Sequence, residues 1–454
     1  MPDGVPTLRE LLAFAVPSMA IWLASPLLSL VDVAVVGQSS TLELAALAPA
    51  TGVSDSSAYA FTFLGVATTS LIARARARGD TPAAQAALSD ALTIAAACGV
   101  ALCTFLLLLA PALLTAYSGV ASAEIVGPAV GYTRVRALGM PFALLGTVAQ
   151  SAFLAAKTPG VPLLVVGAAS LVNLLGDLLL CCVFHLGAVG AAWATVASQA
   201  VGTAIVLSRL YAPLAPGQPP LLDAATRVAW WPSRAAAVRL LRIGGPVCVL
   251  IILKVLLIGV GIGGAATQLS PTSAAVHAVM MSLYIFSATL GDAISQSAQS
   301  FLPALLGRPD AAFALCRALL LTGAAVGLVN CAYAGVLPFF APGLFTTAPA
   351  VAEGMRSLAP VMCAALVLHS ASMATEGLLL AGRDLTFLLT SYARNAVLCA
   401  LTLYALQRAG WGLPGVWAVL IQFHTTRLSQ NGHRLYVSNA SPLKSTAAPQ
   451  ADDD

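Results

Sequence analysis

Charge is what this chain has least of. Asp, Glu, Lys and Arg make up 9% of its 454 residues, against 59% hydrophobic residues. A soluble domain carries roughly 25% charge, so the soluble globular class is excluded. A net charge of +4 on so few ionised groups is not a nucleic-acid surface. No Cys-x-x-Cys pair occurs, and the nine cysteines all fall in or beside apolar stretches. Thiols so placed behave as small apolar residues, so neither a disulfide framework nor a thiolate metal centre is expected. The five histidines (His185, His277, His369, His424 and His433) are scattered without ligand spacing. His277 and His369 fall in mid-span and read as polar packing groups. Acid-rich or His-rich loops are missing too, which makes a membrane-embedded transferase a remote alternative.

What fills the chain is long apolar runs. About twelve are present, each near the ~20 residues that cross a bilayer. They lie at approximately 11–36, 45–73, 88–116, 128–156, 161–184, 187–211, 239–266, 273–303, 313–341, 350–381, 385–408 and 413–437. They are too long, and alternate too poorly, for barrel strands. In lipid the backbone must satisfy its own hydrogen bonds, so they are read as helices. An even number of spans puts both termini on one side. With those termini inside, seventeen basic residues lie on inner loops and span ends: Arg9, Arg74, Arg76, Arg78, Lys157, Arg209, Arg227, Arg234, Arg239, Arg242, Arg308, Arg317, Arg383, Arg394, Arg427, Arg434 and Lys444. Four lie outside: Arg134, Arg136, Arg356 and Arg408. That asymmetry places both termini on the cytoplasmic or stromal face.

The chain also repeats itself. Leu154-Ala-Ala-Lys157 recurs as Leu380-Ala-Gly-Arg383, 226 positions on, and Gly187-Ala-Val-Gly190 recurs as Gly412-Leu-Pro-Gly415, 225 positions on. Both offsets are near half the length, the weak internal symmetry of a secondary transporter. The expected organisation is an N-terminal lobe over 1–211, an inner linker over 212–236, a C-terminal lobe over 237–440 and a disordered tail over 441–454. The linker carries Trp230-Trp231-Pro232, read as an interfacial segment with its Trp pair at headgroup depth.

The acids are not repeated. Asp32 and Asp177 lie inside apolar spans of the first half, without matching acids in the second. A carboxylate at such depth must pair, face water or take a proton. Asn173 precedes Asp177 by four residues and so shares its helix face. Thr195 lies in the next span. Asp32, Asn173, Asp177 and Thr195 are therefore expected to form one cation or proton site. Pro26 precedes Asp32 on the same helix and is a candidate hinge. Asp55 is a supporting partner or a span-end residue. In the second half Lys254, Asp292 and Glu376 lie in spans, beside the polar run Ser295-Gln296-Ser297-Ala298-Gln299-Ser300. Lys254, Asp292, Gln296 and Glu376 are the candidate substrate contacts. Lys254 either faces a cavity or pairs with Asp292 or Glu376, because a lone ammonium facing lipid is costly.

Several of these stretches together resemble the multidrug and toxic compound extrusion (MATE) family. They are Trp22-Leu-Ala-Ser-Pro26-Leu-Leu-Ser-Leu-Val-Asp32-Val-Ala-Val-Val-Gly37, Glu43-Leu-Ala-Ala-Leu47, Val148-Ala-Gln-Ser151, Asn173-Leu-Leu-Gly-Asp177, Gly190-Ala-Ala-Trp-Ala-Thr195 and Ser295-Gln-Ser-Ala-Gln-Ser300. Similarity runs from about residue 8 to 437. Glu376-Gly-Leu-Leu-Leu-Ala-Gly-Arg-Asp384 fits the plant plastid-envelope, salicylate-exporter-like branch. The resemblance implies an all-α polytopic protein of two pseudo-symmetric six-helix lobes around a central cavity. It implies an antiporter that exports a small organic solute, aromatic anions among the candidates, against H+ or Na+ by alternating access. It also implies that Asp32, Asn173 and Asp177 couple the cation. A monomer in contact with membrane lipids is expected, without further cofactor, metal or nucleic-acid partner. A lipid or lipid-linked flippase of the same superfamily is the rival reading; it would carry a wide basic cavity and ignore cation gradients. The roughly ten residues before the first span do not resemble a Ser- and Arg-rich transit peptide, and the plastid envelope is one of the membranes the resemblance allows.

Overall fold

The apolar runs fold as helices because a backbone in hydrocarbon has no partner but itself. The computed structural model describes residues 8–158, 160–214, 219–223 and 233–444, with side chains described from Leu23 onward except at Ala77, Pro246 and Ala304. The Trp230-Trp231-Pro232 segment and everything after Lys444 lie outside the described residues. Fifteen α-helices follow in chain order: α1 (Leu8–Ser39), α2 (Thr41–Tyr59), α3 (Phe63–Ala77), α4 (Thr81–Ser118), α5 (Val126–Leu138), α6 (Met140–Ala155), α7 (Gly160–Asp177), α8 (Gly187–Leu210), α9 (Arg234–Lys254), α10 (Gly264–Thr267), α11 (Pro271–Phe301), α12 (Pro309–Phe340), α13 (Pro349–Ala381), α14 (Leu385–Arg408) and α15 (Gly412–Gly432). No strand occurs among the described residues.

Nine helices there are long and apolar enough to cross a membrane, and the pair Val120–Leu138 and Met140–Ala155, bent by 46°, makes a tenth. The two remaining expected spans are α1, whose described apolar part is Leu23–Ser39, and α15. The second is helical but polar, because His424, Arg427 and Asn431 are buried within its own unit.

The chain packs as two compact units. One is Val31–Ala275; the other joins Val276–Asp454 to Met1–Leu30. Helix α9 was expected in the C-terminal lobe. Instead it packs on α3 and α4 of the first unit, where Arg239 meets Asp90 at 3.7 Å. The Tyr117 hydroxyl donates to the carbonyl of Gly259, in the π-helical stretch that continues α9, at 2.5 Å. In the second unit α13 packs on α12 and α15. Small residues let α12 and α13 approach closely: a Cβ on Gly327 would lie 3.0 Å from the Val367 backbone. The tail expected to be disordered from 441 is ordered at its start. Leu443 is buried, and the Ser441 hydroxyl donates to the Leu435 carbonyl at 2.6 Å.

The sequence repeat is also a structural one. Lys157 and Arg383 are both left-handed, at φ 59° and 57°. Each closes its helix with the same pair of bonds: Lys157 N to Leu154 O and Thr158 N to Phe153 O in the first half, Arg383 N to Leu380 O and Asp384 N to Leu379 O in the second, all 3.0 Å. Gly187 and Gly412 repeat the match at φ 54° and 59°. Between these landmarks the first half holds one residue more, because the offsets are 226 and 225. The helical segments themselves, Gly160–Val183 and Leu385–Arg408, are both 24 residues long, so the extra residue falls in the connection before α7. The halves differ in helix geometry as well: the first has a π-helical stretch at Leu178–Val183, directly after Asp177, whereas α14 in the second half is regular throughout.

Deleting Leu179 should convert that stretch to α-helix with both flanking registers kept. The variant is expected to insert, with a thermal midpoint within about 4 °C of the parent, the effect of ~1 kcal/mol in a protein this large. Transport should fall by about tenfold or more (~1.4 kcal/mol), since the widened turn ends the helix that carries Asp177. Parent-like transport would show that the bulge is only a packing accommodation.

Candidate functional site

In the first unit two acids meet. Asp32 lies on the second half of α1 and Asp177 on the last residue of α7, and both are buried. Their carboxyl groups are within hydrogen-bonding reach of each other. Asn173 donates its Nδ2 hydrogen to Asp177 Oδ2 at 3.0 Å, as the i, i+4 spacing predicts. Oδ1 of each acid is buried without a hydrogen-bond partner. The π turn after Asp177 and the close approach of α7 to α8, where a Cβ on Gly176 would lie 2.7 Å from Ala194 Cβ, hold this end of α7 in place. Thr195 was expected to join the network. Its hydroxyl instead donates to Ala191 O of its own helix at 2.9 Å.

Three neighbours went unread in the sequence. Tyr132 on α5 is buried among Arg136, Asp55, Asp32 and Asp177. Glu43 caps α8 by accepting from Ala188 N at 2.8 Å, and Gly187 leaves the room, since a Cβ there would collide with the Glu43 carboxylate. Arg136 is not an outer-loop charge. It is buried on α5 and donates through Nη2 to Asp55 Oδ1 at 2.6 Å, with side-chain exposures of 8% for Arg136 and 52% for Asp55. Its Nε and Nη1 are buried without a hydrogen-bond partner, and its charge acts on Asp32. An acid dyad, a tyrosine and a guanidinium so arranged can hold one proton or one small cation, with Arg136 opposing a second.

In the second unit the candidate substrate residues separate. Asp292 and Gln296 are exposed on α11, where Thr289, Asp292, Gln296 and Ser300 share one face. Glu376 does not share that face. It is buried on α13, paired with Arg427 of α15, and accepts from the Tyr392 hydroxyl at 2.8 Å. Arg427 lies 4.6 Å from the Tyr392 ring centre and 5.1 Å from that of Phe423. It too had been counted as an inner-side orientation charge. With Arg136 and Arg427 removed the asymmetry is sixteen against three, and its direction holds. Lys254 is half-buried at the junction of α9 with the π-helical stretch Val255–Gly263.

The histidines are not scattered. His277, His369 and His424 gather from α11, α13 and α15. The Tyr284 hydroxyl is 2.7 Å from His424 Nε2, and Ser372 Oγ is 3.3 Å from His424 Nδ1. The rings of His369 and His424 are 4.9 Å apart at 87°. Trp417 donates Nε1–H to His277 Nδ1 at 3.2 Å. Three separate helices carry these rings, so linear spacing held no signal for them.

Comparison with known proteins places this arrangement. The MatE family model matches residues 17–179. The chain is 35% identical over 439 residues to Protein DETOXIFICATION 47, chloroplastic, of Arabidopsis thaliana, covering 94% of this chain and 78% of the relative. The chain belongs to the MATE family. It is 28% identical to the Arabidopsis thaliana Protein DETOXIFICATION 44, chloroplastic, over 94% of this chain and 82% of that one. Among solved structures, an inward-facing MATE family transporter of the MOP superfamily superposes with a TM-score of 0.79 at 20% identity, covering 89% of this chain and 92% of the other. The eukaryotic MATE transporter AtDTX14 superposes at 0.75 and 14% identity, covering 96% and 97%. This MATE chain is therefore a multi-pass membrane transporter for small organic compounds, and not an enzyme. The twelve-helix, two-lobe reading fits that fold.

Removing Asp55 leaves the Arg136 guanidinium buried with no anion on Nη2. Asp55→Asn should lower stability in detergent by about 1–3 kcal/mol, less than for a fully buried pair because Asp55 is half exposed. The double variant Asp55→Asn/Arg136→Gln should recover part of that loss in a thermal-unfolding series. An Asp55→Asn protein as stable as the parent would show the ion pair to be energetically idle.

Proposed function

We propose that this transporter exports a small organic solute in exchange for protons, with Asp32 and Asp177 as the shared proton site. The observation that carries the reading is the meeting of two buried carboxyl groups within hydrogen-bonding reach. Two carboxylates that close, out of water, do not both stay ionised; a proton between them, or a cation on them, is required. A proton needs only the two oxygens, whereas sodium calls for several more oxygen ligands arranged around it. Asn173 fixes the orientation of Asp177, and Arg136 limits occupancy to one charge.

Alternating access then follows from a helix that answers to protonation. Pro26 lacks the backbone hydrogen that would bond one turn back, and α1 passes from one compact unit to the other between Leu30 and Val31, next to Asp32. Protonation of Asp32 changes what that part of α1 bonds to, and Pro26 is where the helix bends in response. In the second unit the solute meets the polar face of Asp292 and Gln296; Lys254, in the first unit, is a separate candidate counter-charge for an anionic aromatic solute. Glu376 serves this region indirectly, by balancing Arg427. The names of two Arabidopsis relatives carry the word chloroplastic, which supports a plastid envelope; the excess of basic residues on inner loops supports both termini on the stromal side.

Two experiments test this reading. In inverted vesicles Asp32→Asn should insert normally yet lose uphill efflux driven by an imposed proton gradient; uphill transport at the parental rate would end the proposal. Lys254→Gln should weaken efflux of an anionic aromatic solute by about tenfold (~1.4 kcal/mol) and spare a cationic one. Equal loss of both, with poor expression, would make Lys254 a structural residue.

A further inference from the structure

The start of α9 carries a basic face that the proton site does not use. One side of the helix is buried in the first unit. Ala236 and Leu240 pack in one cluster with Ile72 and Ala75 of α3 and Leu88 of α4, and a Cβ on Gly244 would lie 2.7 Å from the Phe63 ring. The other side is exposed and carries Arg234, Ala235, Val238, Arg239 and Arg242, which the helical period brings together. These five line a shallow cleft of about 590 Å³. Arg239 meets Asp90 of α4 at 3.7 Å. Arg234 and Arg242 make no ion pair or hydrogen bond among the described residues. Three guanidiniums therefore share one carboxylate, and the cleft is positive.

Its depth says what such a cleft meets. At 1.5 Å per residue, Arg242 stands about 7.5 Å before the apolar span Val247–Thr267. The headgroup layer on each side of the hydrocarbon is about 5–8 Å deep. Arg242 is thus at phosphate depth, with Arg239 and Arg234 about one and two turns further out. A guanidinium offers a phosphate a planar fork of donors, and basic pockets at the membrane surface attract anionic headgroups. An orientation signal needs only a count of charges; it does not need them on one helix face above an apolar surface. That surface is present. The cleft floor is Ala235 and Val238, and the exposed face runs on into the span through Gly245, Val249 and Ile252. From Val238 through Arg242 to Ile252 these positions recur at alternating intervals of four and three, so they form one stripe. A Cβ at Gly245 would meet nothing within 4 Å, which leaves a notch in the stripe just below Arg242. A soluble phosphate would use the arginines alone, whereas a lipid uses the stripe as well.

We propose that this face of α9 is a binding site for one anionic membrane lipid. Arg234 and Arg242 supply the charge that its headgroup neutralises. Arg239, tied to Asp90, forms the wall of the cleft, and an acyl chain lies along Gly245, Val249 and Ile252. The site is independent of Asp32 and Asp177 and of the direction of transport.

The test is native mass spectrometry of the full chain released from nanodiscs of equal parts phosphatidylglycerol and phosphatidylcholine, with retained lipid counted. Phosphatidylglycerol should be retained about tenfold or more over phosphatidylcholine. Arg234→Gln/Arg242→Gln should lose that preference. The control Arg317→Gln/Arg394→Gln removes two exposed charges from the second unit and should keep it. Both variants exchange exposed side chains, so folding is expected to be unchanged. Excess inorganic phosphate should leave the preference intact. Equal retention of the two lipids, the same loss in both double variants, or loss of the preference to inorganic phosphate would each overturn the proposal. Lipid retention is read without transport, so failure of the proton reading leaves this result standing.

Discussion

Desolvated charge is the constraint on which the rest of this structure depends. An ionised side chain inside a bilayer has water replaced by hydrocarbon, and the cost is met by a partner or by a proton. Three of the described ion pairs follow that rule and join different helices: Arg136 on α5 with Asp55 on α2, Arg427 on α15 with Glu376 on α13, Arg434 after α15 with Asp384 before α14. Each pair therefore fixes two helices as it neutralises itself. Asp32 and Asp177 join α1 to α7 in the same way but carry the same sign. Two carboxyl groups of one sign do not settle their charge between themselves, and the proposed proton is what balances this pair.

The two halves descend to the same local geometry and part at their sites. The left-handed caps at Lys157 and Arg383 match to within 2° in φ (59° against 57°). Between these caps and the next shared landmark, the first half has a π-helical stretch directly after Asp177. In the corresponding part of the second half, α14 is regular and carries Tyr392, which bonds Glu376. Duplication thus supplied the scaffold twice. The breaks in symmetry mark where the buried polar contacts of the halves differ, two acids meeting in one and Glu376 paired with Arg427 in the other.

The helical fold, the number of spans and the repeat were legible because they are properties of composition and of linear order. So was the Asn173–Asp177 bond, which lies within one helix at i, i+4. What escaped had its partner on another helix. Arg136 and Arg427 read as orientation charges because they fall near span ends, and only Asp55 and Glu376, brought by other helices, show that they are buried. His369 and His424 are 55 residues apart in the chain and 4.9 Å apart in space. Thr195 was placed correctly on its helix and wrongly in its bonding, since a hydroxyl in a helix is equally satisfied by its own backbone at i−4. Helix α9 was assigned by its position after the linker, and packing put it with α3 and α4.

The polarity of α15 joins these strands. By composition alone it is a poor membrane helix, holding Gln422, His424, Thr425, Thr426, Arg427 and Asn431 within ten residues. Its polar side chains are absorbed by its own unit: His424 by Tyr284 and Ser372, Arg427 by Glu376, and Asn431 by the Thr375 hydroxyl at 3.2 Å. Such a helix is stable only where those partners wait. Exchanging any one of them for an apolar residue would leave a buried polar group unsatisfied, at about 1–3 kcal/mol each and more for the guanidinium. The cluster on α11, α13 and α15 is therefore held together by polar pairings that its own unit supplies, and α15 is a stable membrane helix only as part of that unit.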